Sequence, residues 1–371
     1  MDELASRTIQ YHEKTKHHFH RNANGPGYMD WQNQPDPFRK YEGARRYYLP
    51  PIIKDKTPAY HSLFSNEILE VKPLSVENIS DLFEMSMGIT AWKQAGDSRW
   101  PLRANPSSGN LHPTEAYLVI IGLEDLNRLP GVYHYLPKEH AIELRTQFYN
   151  ETWNDLTKKF PLGTFLIGLS SIHWREAWKY GERAFRYCQH DIGHALAAVR
   201  IAAAALGWKA VHLDGMSDAD ISQLLGLDRV DDYKESEREH PDLILALFPD
   251  DRDSQIIPLA LEGEPIKLIS AGEWEGKANR LSADRVEWEI IDTVAKSSLK
   301  DKRENEVTIT LYRKGGVNFE PVLNSSKRKK ISSRQIIRQR RSAVSFDGFS
   351  SMSKEEFYCV LAHTIVNKGI P

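Results

Sequence analysis

Residues 103–119 read RANPSSGNLHPTEAYLV, a polar loop running straight into an apolar strand. Arg103 carries a fork of N–H donors. Ser107, Ser108, Gly109 and Asn110 add two hydroxyls, a side-chain amide and a run of backbone N–H groups. That set suits a polar ring system bearing a phosphate. Backbone approaches closely at glycine, an amide meets ring carbonyls, and an Arg guanidinium takes phosphate oxygens. The plain alternative is a strand-entry loop in which Ser and Asn cap turns. Composition alone leaves both open.

A second candidate is HDIGH at 190–194. Two histidines four apart on a helix face, with a carboxylate between them, resemble a zinc-protease helix carrying Asp in place of Glu. No third ligand stands nearby, and Arg186, His190 and His194 also make an ordinary polar face, so no metal is expected. The HHFH run at 17–20, with His12, offers ligands without a geometry and reads as surface. The chain has no Gly-x-Ser-x-Gly elbow, no Gly-x-Gly-x-x-Gly after a strand and no P-loop Lys. These absences argue against a serine hydrolase, a Rossmann dinucleotide site and an ATP cradle.

Several elements must position the loop. SVENISDLFEMSMGI (75–89) predicts a helix, with Ser75 as N-cap and Ile79, Leu82, Phe83 and Met87 on one face. EAYLVII (115–121), the two halves of GVYHYLPKEHAIELR (131–145) and TFLIGLSSI (164–172) predict strands. The clearest helix is 181–208, where Phe185, Cys188, Ile192, Ala195, Val199, Ala202 and Leu206 recur at helical spacing and Gly207 closes the end. Strands are expected at 209–215, 240–250 and 307–313, a short helix at 218–228 and a helix at 280–298. This order predicts an α+β fold with a mixed central sheet flanked by helices. Residues 1–60 read as an extended N-terminal arm, too aromatic for disorder, with Tyr28, Trp31, Phe38, Tyr41 and Tyr47 needing a surface. The expected organisation is an arm over 1–60, a main domain over 61–300, a linker over 301–330 that includes the solvated SSKRKK run, and a new unit from 331 to 371.

The balance of 49 basic and 51 acidic residues gives no reason to expect nucleic acid as a partner. Two cysteines, Cys188 and Cys359, exclude a disulfide framework. No apolar run approaches the about 18 residues of a membrane span, and the N-terminus lacks a secretory pattern, so a cytoplasmic protein without a membrane partner is expected.

In combination, Arg103, the Pro106-Ser107-Ser108-Gly109-Asn110-Leu111-His112-Pro113 run and the strand with Glu115 and Tyr117 resemble the flavin loop of the nitroreductase-like superfamily. More specifically, they look like those of its SagB-type (thiazole/oxazole-forming) dehydrogenases. The arm, the hairpin, the long helix and WEGKANRLS (274–282) extend that likeness over residues 8 to about 300. The resemblance implies an FMN-dependent oxidoreductase exchanging hydride between flavin and a small-molecule or peptide substrate, possible azoline oxidation included. It implies FMN contacts from Arg103, Pro106, Ser107, Ser108, Gly109 and Asn110, with His212 to Gly215 close to the ring or to the opposite unit. Lys179 and Tyr180 match a Lys-Tyr pair linked to catalysis in azoline-oxidising members. IIRQRRSAVSFDG resembles the start of a second unit, with Arg340, Arg341 and Ser342 on its FMN motif and Val344 or Ser345 where a further Arg is common. The expectation is a tandem whose second unit is cut short, the site being completed within the chain as a pseudo-dimer or by a homodimer. Two rivals accompany it: a general NAD(P)H-dependent nitro or quinone reductase, and a non-catalytic scaffold that kept the fold.

Overall fold

A computed structural model describes residues 3–65, 69–233, 237–250, 255–304, 308–311, 331–343 and 345–362. Its centre is a seven-stranded sheet. The strands are β1 (Arg46–Tyr48), β2 (Thr114–Ile120), β3 (Gly131–Leu136), β4 (Ala141–Gln147), β5 (Phe165–Ser171), β6 (Trp208–His212) and β7 (His240–Pro249). Their order across the sheet is β1-β4-β3-β2-β5-β7-β6. Every ladder in it is antiparallel. The fold is α+β with helices on both faces, as expected. The mixture lies in connectivity, hairpin neighbours beside crossovers, rather than in strand direction.

The continuous apolar strands follow from burial on both faces. Leu118 and Ile120 of β2 join Ile167 and Leu169 of β5 in one core layer. That layer packs under Ile79, Leu82 and Phe83 of α2 (Val76–Ser86) and under Ile192, Ala195, Val199 and Ala202 of the long helix Ala184–Ala205. Tyr117 and Val119 of β2 point the other way, to Leu224, Leu225, Ile266 and Ile269. Ser75 caps α2 by accepting from the Asn78 N–H at 3.3 Å, the predicted cap.

The helix predicted over 181–208 is present from 184 to 205 after a 3₁₀ turn, and a separate helix that was not expected precedes it. α3 (His173–Tyr180) ends at Gly181, and α4 (Ala184–Ala205) follows a single 3₁₀ turn. Gly181 has φ +52°, and a Cβ there would lie 2.7 Å from Asn24 O. The break lets the arm cross between the helices. The arm is only partly extended, a correction to the expectation. It opens with a helix, Glu3–Thr15, held by an Arg7–Glu3 pair one turn apart and by Tyr11, whose buried hydroxyl donates to Glu182 O at 2.7 Å. The helix predicted from 280 begins at Glu289. Upstream, Leu281 N–H and Ser282 Oγ are pinned to Glu237 at 2.9 and 3.0 Å, and Asp36 N–H bonds Leu281 O, so that stretch is used for side contacts. A hairpin of Ile89–Ala95 with Ser98–Arg103 was not expected; it delivers the chain into the 103–113 loop.

Thr308–Leu311 pairs with Gln255–Pro258 as a strand, while the SSKRKK run and Val344 lie outside the described residues. Beyond them, Ser333–Gln339 forms a helix on the flank of α2, where Glu84 accepts from Arg334 at 2.8 and 2.9 Å and also from Arg338. Among the described residues no helix is long and apolar enough to cross a membrane.

Candidate active site

Topology brings the chemical candidates to one end of the sheet. Thr114 at the start of β2 lies opposite Ser171 at the end of β5. The loop before β2 and the helix after β5 therefore emerge side by side. That places Pro106–Asn110 against the last turn of α3, which carries Lys179 and Tyr180.

The contact centres on Gly109. Its φ is +58°, and a Cβ there would fall 2.5 Å from Tyr180 Oη and 3.2 Å from Lys179 Nζ. No side chain fits between the loop and the pair. Around it the loop is tied down. Ser108 donates to the Asp191 carboxylate through its N–H at 3.0 and 3.2 Å and through Oγ at 3.0 Å. Ser107 Oγ accepts the His112 N–H at 2.8 Å, and Asn110 Nδ2 donates to Pro101 O at 2.9 Å. Asn110 and His112 both take positive φ, 61° and 51°. His112 Nε2 and Asn110 Oδ1 are 3.1 Å apart, which makes Nε2 the donor. Burial, with Arg103 and Arg175 nearby, holds His112 well below the usual imidazole range, so it is neutral.

Beneath the loop runs a buried charge network. Arg175 bonds Glu115 and donates to His112 O at 2.8 Å; His134 bridges Glu115 and Glu143 at 2.9 Å each. Burial pushes Glu115 up, but Arg175 and His134 bring it down to about 2. Burial pushes His134 down, but its two carboxylates raise it to about 9.

Arg103 belongs to this underside. It is 2% exposed, with Nη2 donating to Pro37 O at 2.5 Å and Nη1 to Thr114 O at 3.4 Å. Its two terminal nitrogens thus meet backbone carbonyls and brace the loop from below, while Nε has no hydrogen-bond partner. At Tyr180, burial first, then Glu176 and Tyr187, push the hydroxyl up to about 12, so it is protonated near neutral pH.

Gly215 lies elsewhere, its N–H on Leu259 O at 2.7 Å and its carbonyl accepting Glu304 N–H at 2.8 Å. His212 ends β6 at the sheet edge. Arg340 caps the Ser333–Gln339 helix, and Arg341 Nη1 donates to the Arg338 and Arg340 carbonyls at 2.7 Å. The loop therefore meets Lys179 and Tyr180 directly, whereas the contacts of Gly215 and of Arg340–Arg341 lie away from it. Two cavities, about 420 and 260 Å³, are lined by other residues; the first adjoins Glu84, Arg334 and Arg338, the second Trp174, Trp178 and Trp288.

Two residues were missed as parts of the site. Asp191 was visible inside HDIGH, but there only as part of a polar helix face with no metal expected, and not as an anchor for the loop. Glu176, on α3, left no sequence signal beyond its place one turn before Lys179. Partnerless buried polar atoms collect at this end of the molecule: Asn105 Oδ1, His112 Nδ1, Thr114 Oγ1 and both Glu176 oxygens. Unsatisfied donors and acceptors beside a glycine surface fit a polar ring system such as a flavin.

A model of the nitroreductase family matches residues 69–235, the span that holds the loop, α3, α4 and the sheet's core strands. That span is similar to the nitroreductase family, and the match supports an enzymatic, oxidoreductase-type function. The chain is 26% identical over 160 residues to a nitroreductase-named protein of Methanocaldococcus jannaschii, covering 41% of this chain and 75% of that one. It is 28% identical over 214 residues to the trifolitoxin-processing protein TfxB of Rhizobium leguminosarum bv. trifolii, covering 52% of this chain and 56% of TfxB. A crystal structure of a nitroreductase-named protein from Anabaena variabilis superposes with a TM-score of 0.49 at 23% identity, over 72% of this chain and 54% of that one. The chain thus spans little more than half of two of these relatives.

Proposed function

We propose that the chain is an FMN-binding oxidoreductase of the nitroreductase type, acting as a general reductase that takes electrons from a nicotinamide donor. The observation that carries the reading is the Gly109 contact: a loop kept clear of side chains, facing Lys179 and Tyr180, inside the span that matches the family. The nitroreductase name of the archaeal relative supports the reductase reading over a more specialised one.

Pro106, Ser107, Gly109 and Asn110 would hold the cofactor, with Lys179 and Tyr180 over the same surface. FMN, when bound, accepts and returns hydride. The chain's own residues supply the rest. Asp191 fixes the loop's shape through Ser108. Tyr180, protonated near neutral pH, donates a hydrogen bond. Lys179 brings the mobile cation and a proton that can pass to or from a reacting atom. A second unit would close the site, because Gly109 is exposed. That unit is either another copy or chain beyond 331, and Arg340, Arg341 and Ser342 are the residues such a unit would bring.

A second reading, oxidation of azoline rings in a peptide, is favoured by the Lys179–Tyr180 pair lying against the loop and by the likeness to a peptide-toxin processing protein. One experiment separates the two. FMN is added to the purified chain, excess is removed, and the retained flavin is mixed with NAD(P)H without oxygen. Rapid bleaching supports the general reductase. Retained flavin that NAD(P)H leaves oxidised but a thiazoline peptide reduces supports the second reading. Protein that retains no flavin defeats both.

A further inference from the structure

Glu176 has no explanation in packing. It is fully buried, and neither carboxyl oxygen has a hydrogen-bond partner. Leaving a buried carboxylate in that state costs several kcal/mol in general, so native proteins rarely tolerate it without a use. It stands one turn before Lys179 and four residues before Tyr180 on α3. Ser108 bonds Asp191 while Gly109 lies against Lys179 and Tyr180, so the loop brings Asp191 of α4 beside the end of α3 that carries Glu176. The charges acting on Glu176 are those of Asp191 and Lys179, with Tyr180 and Cys188 also close enough to feel it. Burial pushes the Cys188 thiol well up, and Tyr180 is also held protonated, so neither brings charge. Asp191 and Lys179 remain.

The two carboxyls differ in their surroundings. Burial pushes Asp191 up, but it accepts three hydrogen bonds from Ser108, and Ser107 and His194 also act to favour its charged form. Glu176 accepts none. Facing carboxyls in a buried setting keep one proton between them, and the member without hydrogen bonds keeps it.

We infer that Glu176 and Asp191 form a one-proton carboxyl pair behind the loop: ionised Asp191 holds Ser108 in place, while protonated Glu176 leaves Lys179 turned towards the loop and its ligand. The inference deepens the proposed cofactor site and rests on it for the ligand. Both residues act by positioning. When Glu176 ionises, its carboxylate competes for the Lys179 ammonium and repels Asp191, so the loop loses its cation and its anchor together.

The sign of the pH effect follows. A carboxyl held above its usual range in the folded chain binds its proton more tightly there than in the unfolded chain. Stability from this group is therefore greatest below the unfolded value of about 4.5 and declines as pH rises towards the folded one. The experiment compares the full chain with Glu176→Gln and Asp191→Asn, reading Tm against pH and FMN affinity by quenching of flavin fluorescence. Wild-type Tm is expected to fall by roughly 2 °C or more relative to Glu176→Gln between pH 4.5 and 8. Asp191→Asn should shrink that fall, because Glu176 loses the charge that faces it. FMN binding should weaken with rising pH in wild type and stay level in Glu176→Gln. Asp191→Asn should weaken it roughly tenfold at every pH. If Asp191→Asn does not fold, Ser108→Ala breaks the same anchor from the loop side and carries the same expectation. Parallel Tm profiles for wild type and Glu176→Gln would overturn the pair. A diverging Tm profile in a chain that takes up no FMN would support the pair and defeat the cofactor reading instead.

Discussion

At Gly109 two demands meet in one residue, a positive φ and a surface against Tyr180 Oη with no room for a methyl group. Gly109→Ala should cost about 1–3 kcal/mol in strain and displace Tyr180, seen as a lower denaturant midpoint and lower flavin retention. Gly193, on α4, is the control: a Cβ there meets nothing within 4 Å. Gly193→Ala should stabilise the chain by roughly 0.5–1 kcal/mol through helix propensity alone. The His134 bridge gives a second expectation. His134 is raised to about 9, so its contribution is complete below the unfolded imidazole value and is lost as pH rises through 9; Glu115, held at about 2, contributes until pH falls below the carboxylate range. His134→Gln should therefore destabilise most near pH 6 and progressively less above pH 9, measured as the difference in unfolding free energy. The chemical types at this site were legible in the sequence, since Ser, Gly and Asn at the mouth of a strand suggest close approach to a ligand. Which of them face outward was not. Arg103 looks like a phosphate ligand by type and spacing, but Pro37 and Thr114, 66 and 11 residues away in sequence, take two of its guanidinium nitrogens. Asp191 read only as part of a polar helix face because its partner Ser108 lies 83 residues away.

Periodicity identified the long strands and most of α4 because burial on two faces imprints itself on composition. It missed α3, which lies just before the predicted helix and ends at Gly181, where the arm passes at Asn24. The N-terminal helix was also hidden: its polar composition gives little contrast, and its anchors, Tyr11, Lys14 and Thr15, bond residues about 170 positions on. The Ser333–Gln339 helix offers a test at this scale. Glu84 takes Arg334 and Arg338 together, with Glu84 and Arg334 side chains each 12% exposed. Glu84→Ala leaves both cations unpaired against α2. Trypsin should then cut after Arg338, Arg340 or Arg341 several times faster, while the sheet core keeps its protection in hydrogen exchange. Unchanged cleavage would mean that the pairing does not hold this helix.

For the whole molecule, the proposed site opens outward at the end of the sheet, beside an exposed strip of α4 formed by Gln189, His190, Gly193, His194 and Ala197. A flavin bound at Gly109 alone would leave one side to water, and affinity would then depend on what covers it. If a second copy does so along this strip, flavin retention must rise with protein concentration, in step with dimer measured by light scattering. Ala197→Glu, placing a charge on the strip without touching the loop, should lower both together while leaving Tm unchanged within a degree or so. If retention instead stays level across dilution in a monomer, the chain's own residues beyond 331 supply the cover. Arg340→Ala should then weaken flavin binding where Ala197→Glu does not, since Arg340 is the half-buried cation that such a cover would bring to the phosphate.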